Sequence, residues 1–226
     1  MKPQLQHKWD VTTAEAREIQ NRLRPKVRRR GKLPHVKHVA GIDISIRNNR
    51  AIAAIPVLSF DDLQIVDLAI AEQAVPFPYV PGLLSFREIP SILAAAEKLT
   101  VRPDLMLVDG QGIAHPRRFG LAAHLGVLFD VPTVGCAKTR FIGTHDEPAE
   151  QAGCYTDLWD GEELIGAVLR TRDNVKPLYI SVGHKIDLPT ALDMVLACGG
   201  GYRLPEPTRL AHQAAGGTLR RTRRCT

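Results

Sequence analysis

Cysteine is scarce in this chain of 226 residues: Cys136, Cys154, Cys198 and Cys225 lie far apart, and none forms a Cys-x-x-Cys pair. That spacing suggests neither a zinc site nor a disulfide scaffold, and it fits a reducing cytosol. Long hydrophobic runs are also missing. No stretch of about 18 apolar residues occurs that could cross a bilayer, and the N-terminal MKPQLQHKWD has no apolar core for a signal peptide. A soluble cytoplasmic protein with no membrane partner is therefore expected. Internal repeats and low-complexity tracts are absent. With 44% apolar residues the chain can bury a full core, and its length suits one large α/β domain over residues 1–226 better than two small ones. A monomer is expected.

What the chain does have is charge, unevenly spread. Residues 1–38 carry 11 Lys/Arg against 3 Asp/Glu, residues 202–226 carry 6 against 1, and the stretch between carries 13 against 20. Basic ends around an acidic middle fit a polyanion-binding protein whose Lys and Arg grip phosphates while the acidic centre needs cations to tolerate the same substrate. The competing reading makes Arg28-Arg29-Arg30 and Arg220-Arg221 solvated tails. For the Arg cluster beyond Gly216-Gly217 that reading is preferred, so 217–226 is read as a flexible basic tail.

In chain order, Thr12 and Glu15 have capping-box spacing, and a basic amphipathic helix is expected over about 12–30, interrupted by Gly31 and Pro34. Together with a linker it makes residues 1–38 a basic N-terminal element. Val39–Ile46 reads as an apolar strand carrying one acid, Asp43, and Arg47-Asn48-Asn49-Arg50 as a turn. Strand patterns at Ala51–Leu58 and Leu63–Ala74 complete an antiparallel meander. Apolar residues recur at helical spacing from Leu84 to Leu99, placing Glu88 near that helix's start. Leu105–Val108 is a short β-rich run ending at Asp109-Gly110-Gln111-Gly112. A helix over Phe119–Leu128, a strand over Thr133–Cys136 that delivers Lys138, a hairpin of Glu163–Thr171 with Leu178–Val182, and a final helix opened by Asp187-Leu188-Pro189 follow. The sum is an α/β protein with a mixed sheet covered by helices.

The acids carry the chemistry. Asp43 is flanked by apolar residues, and an isolated carboxylate buried there would cost several kcal/mol even after relaxation. It needs a partner. Asp109 stands at a strand's C-terminal end, with Gly110 and Gly112 allowing a ligand close to the backbone. Glu88 can reach the same place from its helix. Three hard oxygen donors without a thiolate favour Mg²⁺ or Mn²⁺ over zinc. Any one of them could instead be a capped turn or salt bridge, as Asp61, Asp62, Asp146 and Asp173 are read. Together with the basic ends, the three point to phosphodiester hydrolysis. Lys138 could orient the water or pair with phosphate. His115 is a candidate phosphate or base contact, and Arg87, with its fork of donors, a candidate phosphate contact.

Upstream, PFPYVPG holds Pro76, Pro78 and Pro81 around Phe77 and Tyr79. Prolines fix φ, so an aromatic tip here could replace lost base stacking without first being ordered. Pro-flanked aromatics before a glycine are not expected in a core.

These segments resemble one family. GIDIS, PYVPGLLSFRE, LVDGQGIAHPRRFGLAAHLG, GCAKT, VGHKIDLPTAL and YRLPEPTRLAH are similar to endonuclease V, a deaminated-base repair nuclease family with a ribonuclease H-like fold. The resemblance implies metal-binding carboxylates at Asp43, Glu88 and Asp109, a near-metal histidine at His212 and a catalytic lysine at Lys138. It implies a DNA wedge at Pro78, Tyr79, Val80 and Pro81, with Val80 a small departure from the family's usual isoleucine. Gly82, Leu84, Gly110, Gly112 and His115 correspond to the pocket for the flipped base. The implied reaction is Mg²⁺-dependent hydrolysis of the second phosphodiester bond 3′ to deoxyinosine, in single- or double-stranded DNA, leaving 3′-hydroxyl and 5′-phosphate ends. An inosine-specific endoribonuclease and another ribonuclease H-like nuclease stand as alternatives. A non-enzymatic nucleic-acid binder would keep the basic ends without needing the three acids. Ile89 stands where a smaller residue is expected.

Overall fold

β1 (His38–Arg47), β2 (Arg50–Ser59) and β3 (Ile65–Ala74) pair antiparallel in chain order. The turn between the first two is Asn48-Asn49, with φ of 48° and 57°. Two consecutive positive φ values match the twist of a two-residue hairpin, and asparagine tolerates them. The expected meander is present.

In the computed structural model, which describes residues 1–219 apart from Lys32 and Pro34, the sheet also grows from the other edge of β1. β4 (Leu105–Val108) and β5 (Thr133–Ala137) add in parallel. β6 (Tyr155–Asp160), β7 (Glu163–Leu169) and β8 (Leu178–His184) then complete an eight-stranded mixed sheet of order β3-β2-β1-β4-β5-β8-β7-β6.

Strand periodicity divides the core into two layers. Ala40, Ile42, Met106 and Val108 face α2 (Leu84–Ala96) and α3 (Leu121–Phe129), where Ile89 is fully buried and fills space a smaller residue would leave empty. Leu105, Leu107, Val134 and Ile180 face α4 (Leu188–Ala197). Behind β1 and β2 lies α5 (Glu206–Ala215). α1 (Thr13–Leu23) buries Ala16, Ile19 and Leu23 against Phe77, Leu83, Phe86 and Phe119.

Some expectations need correction. The Thr12–Glu15 capping box is formed, but α1 ends at Leu23 instead of near residue 30. Pro25 supplies no amide donor and restricts the residue before it, so the chain tightens into a 3₁₀ turn at Arg24–Lys26. Pro34, expected to interrupt the helix, lies outside the described residues, as does most of the basic tail, from Arg220 onward. β6 had not been anticipated: it is an edge strand in which only Leu158 is buried, so it lacks an apolar alternation. The helix opened by Asp187 is not the final one, because α5 follows it. Among the described residues no disulfide forms, Cys136, Cys154 and Cys198 being free, and no helix is long and apolar enough to cross a membrane.

α5 approaches β1 at a glycine. A Cβ on Gly41 would lie 1.8 Å from the Pro207 carbonyl oxygen, so the helix rests directly on the strand backbone. Gly41→Ala is expected to cost about 2 kcal/mol through overpacking, or roughly 6 °C in Tm for a chain of this size. A thermal melt unchanged within about 1 °C would contradict that contact.

Candidate active site

Parallel pairing of β1 and β4 sets two carboxylates side by side. The Asp109 amide donates to the Ile42 carbonyl at 2.9 Å, which places Asp109, just past β4, next to Asp43 in the middle of β1. Asp43 is only 8% exposed. Its Oδ1 accepts from the Ile44 amide at 2.8 Å and its Oδ2 lies 2.7 Å from His212 Nδ1. Asp109 Oδ2 pairs with Lys138 Nζ, delivered by the end of β5. One ligand atom each from Asp43, Asp109 and His212 fall within 4.8 Å of one another.

Glu88, on α2, is not a member of that closest trio, but it feels the same field. Burial, and then the charges of Asp43 and Asp109, raise its pKa from the ordinary 4.5 to about 8. Burial and Asp43 likewise push Asp109 upward, against the pull of Lys138. Like charges crowded in a low-dielectric site lack a counterion. Two aspartates and an imidazole with no thiolate suit a hard divalent cation, with Glu88 as an added oxygen donor. The residues present therefore fit a metal.

Beside the acids is the Pro-Tyr-Val-Pro segment. The Leu83 amide donates to the Val80 carbonyl at 2.9 Å, and Gly82 has φ 79°. Pro81 and Gly82 thus occupy the two central positions of a type II turn, which requires φ > 0 at the second. Tyr79 stands out from this turn, 71% exposed. Phe77 does not: at 4% exposed it is packed on Phe86, with ring centroids 5.8 Å apart, so the expectation that both aromatics avoid the core fails for it.

Tyr79, Leu84, Gly110, His115, Lys138 and Phe141 are among the residues around a cavity of about 460 Å³ that opens beside Asp109. His115 is 3.0 Å from the Gly82 carbonyl through Nε2, and its Nδ1 accepts from the Arg117 amide at 3.1 Å. Both nitrogens are committed. Burial and the neighbouring Arg117 lower its pKa to about 4, so it is a neutral wall of the cavity and no cationic phosphate contact.

The endonuclease V family matches residues 21–213. The chain belongs to the endonuclease V family. It is 52% identical to the endonuclease V of Trichormus variabilis over 92% of this chain and 96% of that one. The crystal structure of Streptomyces avermitilis endonuclease V superposes with a TM-score of 0.88 at 43% identity, covering 93% of this chain and 94% of that chain. A Ciona intestinalis endonuclease V, solved with a 23mer DNA containing an inosine followed by a ribo-adenosine, gives 0.80 at 30% identity, with 92% and 98% covered. The mixed sheet is thus the ribonuclease H-like fold of endonuclease V, and the protein is a nuclease.

Not every expected residue keeps its expected place. Gly82 joins Leu84, Gly110 and His115 around the cavity, but Gly112 does not. A Cβ there would lie 2.1 Å from the Val182 carbonyl oxygen, and its amide donates to Ser181 Oγ at 2.9 Å, so it packs the loop onto β8. Arg87 donates Nη1 to the Phe77 carbonyl at 3.0 Å, bracing the Pro-Tyr-Val-Pro segment from within.

Other residues escaped sequence reasoning. Gln111 lines the cavity, and while its Nε2 donates to the Thr139 carbonyl at 2.9 Å, its buried Oε1 has no partner among the described residues. Arg203 donates to the carbonyls of Lys138 at 2.7 Å and of Lys176 and Pro177 at 2.8 Å, bracing the loop of the catalytic-lysine candidate. Its place in YRLPEPTRLAH was the only signal available.

The Glu88 shift gives a signed expectation. A carboxyl whose folded pKa is raised stabilises the fold fully below its unfolded value, and that stabilisation is lost as pH rises through the folded one. In chelator, the melting temperature should therefore fall between about pH 4.5 and about pH 8. Glu88→Gln should flatten much of that decline and melt higher than wild type at pH 8.5. A wild-type profile indifferent to pH over this window would refute the crowding of the three acids.

Proposed function

We propose that this protein is a DNA repair endonuclease that recognises deoxyinosine and related deaminated bases, in single- or double-stranded DNA. It hydrolyses the second phosphodiester bond on the 3′ side of the lesion. One observation carries the reading: an exposed Tyr79 beside a proline-fixed turn lines the same cavity as Asp109 and Lys138. A lesion-holding tip and a cutting centre thereby share one cleft.

The cavity suits a flipped purine. Unstacking a base costs a few kcal/mol and is cheapest at a mispair, which favours lesions. Tyr79 stacks in the gap left behind. Hypoxanthine differs from adenine in presenting a carbonyl at C6 and an N1–H donor, and Gln111 Oε1, in the cavity wall without a partner, offers an acceptor of the matching sense. The inosine-containing DNA bound by the Ciona relative supports the same assignment.

Asp43, Asp109, Glu88 and His212 would hold the cation, which we take to be Mg²⁺, with Mn²⁺ able to replace it. Such an ion lowers the pKa of a bound water and balances charge on a leaving oxygen. Lys138 Nζ is paired with Asp109, where it would orient a phosphate oxygen or the attacking water. A water oxygen bonds to phosphorus, the P–O3′ bond breaks, and the released 3′ oxygen takes a proton, leaving 3′-hydroxyl and 5′-phosphate ends. The sheet is covered on both faces by the chain's own helices, which supports a monomer built on a single domain, and we take the enzyme to act in the cytoplasm.

The ribo-adenosine in the Ciona complex keeps a second reading in view, cleavage at inosine in RNA. Nicking assays on inosine-containing DNA, its RNA counterpart and undamaged DNA, with Mg²⁺ and with a chelator, decide between them. Inosine DNA is expected to be cut with Mg²⁺ only. Asp109→Ala should lower cleavage beyond the roughly 10–100-fold that loss of an outer-shell partner costs, with inosine-DNA binding largely retained; near-normal nicking by it would overturn the metal assignment. Tyr79→Ala should reduce the preference for inosine duplex over undamaged duplex about tenfold, the worth of one base–aromatic stack, and an unchanged preference would remove the wedge.

A further inference from the structure

Three donors from two parts of the chain, α1 and the loop between β4 and α3, converge on one backbone carbonyl, that of Gly82. They are Gln20 Nε2 at 3.0 Å, His115 Nε2 at 3.0 Å and Arg117 Nη2 at 2.6 Å. Because the Leu83 amide is bonded to Val80, the Gly82–Leu83 peptide is held at both ends. The clamp closes directly on the backbone: a Cβ on Gly82 would lie 2.7 Å from Arg117 Nη2.

Gln20 is the member of this cluster contributed by α1. It is 1% exposed, and its Nε2 also donates to the Phe119 carbonyl at 3.2 Å while its Oε1 accepts from Arg117 Nε at 2.5 Å. These partners fix the orientation of the amide, since a flipped group would set its oxygen against two carbonyls. α1 already has Ala16, Ile19 and Leu23 to seat it. A buried amide adds little to that apolar packing and costs desolvation unless its bonds are needed. Its bonds go to the turn that presents Tyr79 and to the strand-to-helix loop beside the cavity.

We propose that Gln20 is a positioning residue for lesion recognition, holding the Val80–Leu83 turn so that Tyr79 meets the duplex already ordered. This rests on the reading of Tyr79 as the wedge, and it extends the recognition machinery to a helix that begins before the span matched by the family, residues 21–213. Preorganisation lowers the ordering cost of binding and leaves the chemical step alone. The consequence is a defect confined to substrates that must be opened.

The test uses the full chain with Gln20→Leu and Gln20→Glu, the latter isosteric but unable to donate to either carbonyl when ionised. Arg117→Met breaks the same clamp from a partly exposed side and serves if the Gln20 variants melt below the assay temperature. For each, half-saturation and saturating single-turnover nicking rate are measured with Mg²⁺ on inosine duplex and on inosine single strand. Half-saturation on duplex is expected to rise roughly tenfold, as for loss of one or two buried hydrogen bonds, with the saturating rate and the single-strand substrate changed less than about threefold. In a Tyr79→Ala background the Gln20 substitutions should add nothing further. Wild-type half-saturation on duplex, or an equal loss on both substrates, overturns the proposal. If Tyr79→Ala alone leaves duplex preference unchanged, the wedge reading has failed; if it acts and Gln20→Leu and Arg117→Met do not, only the role of Gln20 has.

Discussion

The repulsion between carboxylates gathered at the junction of β1 and β4 is the constraint the molecule is built around. Asp43 in β1 and Asp109 just past β4 are tied by the Asp109–Ile42 backbone bond, so neither can move away from the other without breaking that bond. Glu88 is held near them by α2, and burial, followed by the charges of Asp43 and Asp109, raises its pKa to about 8. Two apolar layers hold the strands and helices in place against this repulsion. A site that is unfavourable when empty of cations is a site prepared for one, because each unit of carboxylate repulsion is relieved when a divalent ion arrives.

Each element around that junction delivers one group. β1 brings Asp43, the end of β4 brings Asp109, α2 brings Glu88, the end of β5 brings Lys138, and α5 brings His212. The last of these depends on a missing side chain, since α5 can approach β1 only across Gly41. Lys138 depends in turn on Arg203, whose guanidinium bonds three carbonyls of adjoining loops.

The Pro-Tyr-Val-Pro segment and Glu88 are joined through the start of α2. The Val80–Leu83 turn leads directly into the helix, and Glu88 follows about one helical turn later, roughly 6 Å along the axis. On the proposed reading, a rigid helix between wedge and metal ligand would set the separation between lesion and cut. The turn itself is held from outside the helix, with Gln20, His115 and Arg117 meeting on the Gly82 carbonyl.

Much of this was legible in the sequence, for local reasons. The Thr12–Glu15 cap, the Asn-Asn hairpin and the apolar runs of β1 and β4 all depend on residues a few positions apart, and all are present. β6 was not legible, because an edge strand with one buried residue has no alternation to read. α5 began with a proline-rich stretch whose start signal was outweighed by its low apolar content. The identities of Asp43, Glu88, Asp109 and Lys138 could likewise be picked out, since an acid in an apolar strand or before Gly-x-Gly is conspicuous by itself. What tertiary structure alone decided is the state of each group: that His115 is neutral and fully bonded, that Arg87 bonds the Phe77 carbonyl, that Phe77 is core while Tyr79 is exposed, that Gly112 is packing, and that His212 lies against Asp43. Hydrogen bonding and protonation depend on burial and on distances through space. Those distances are set by which segments dock together, and no window of neighbouring residues contains them.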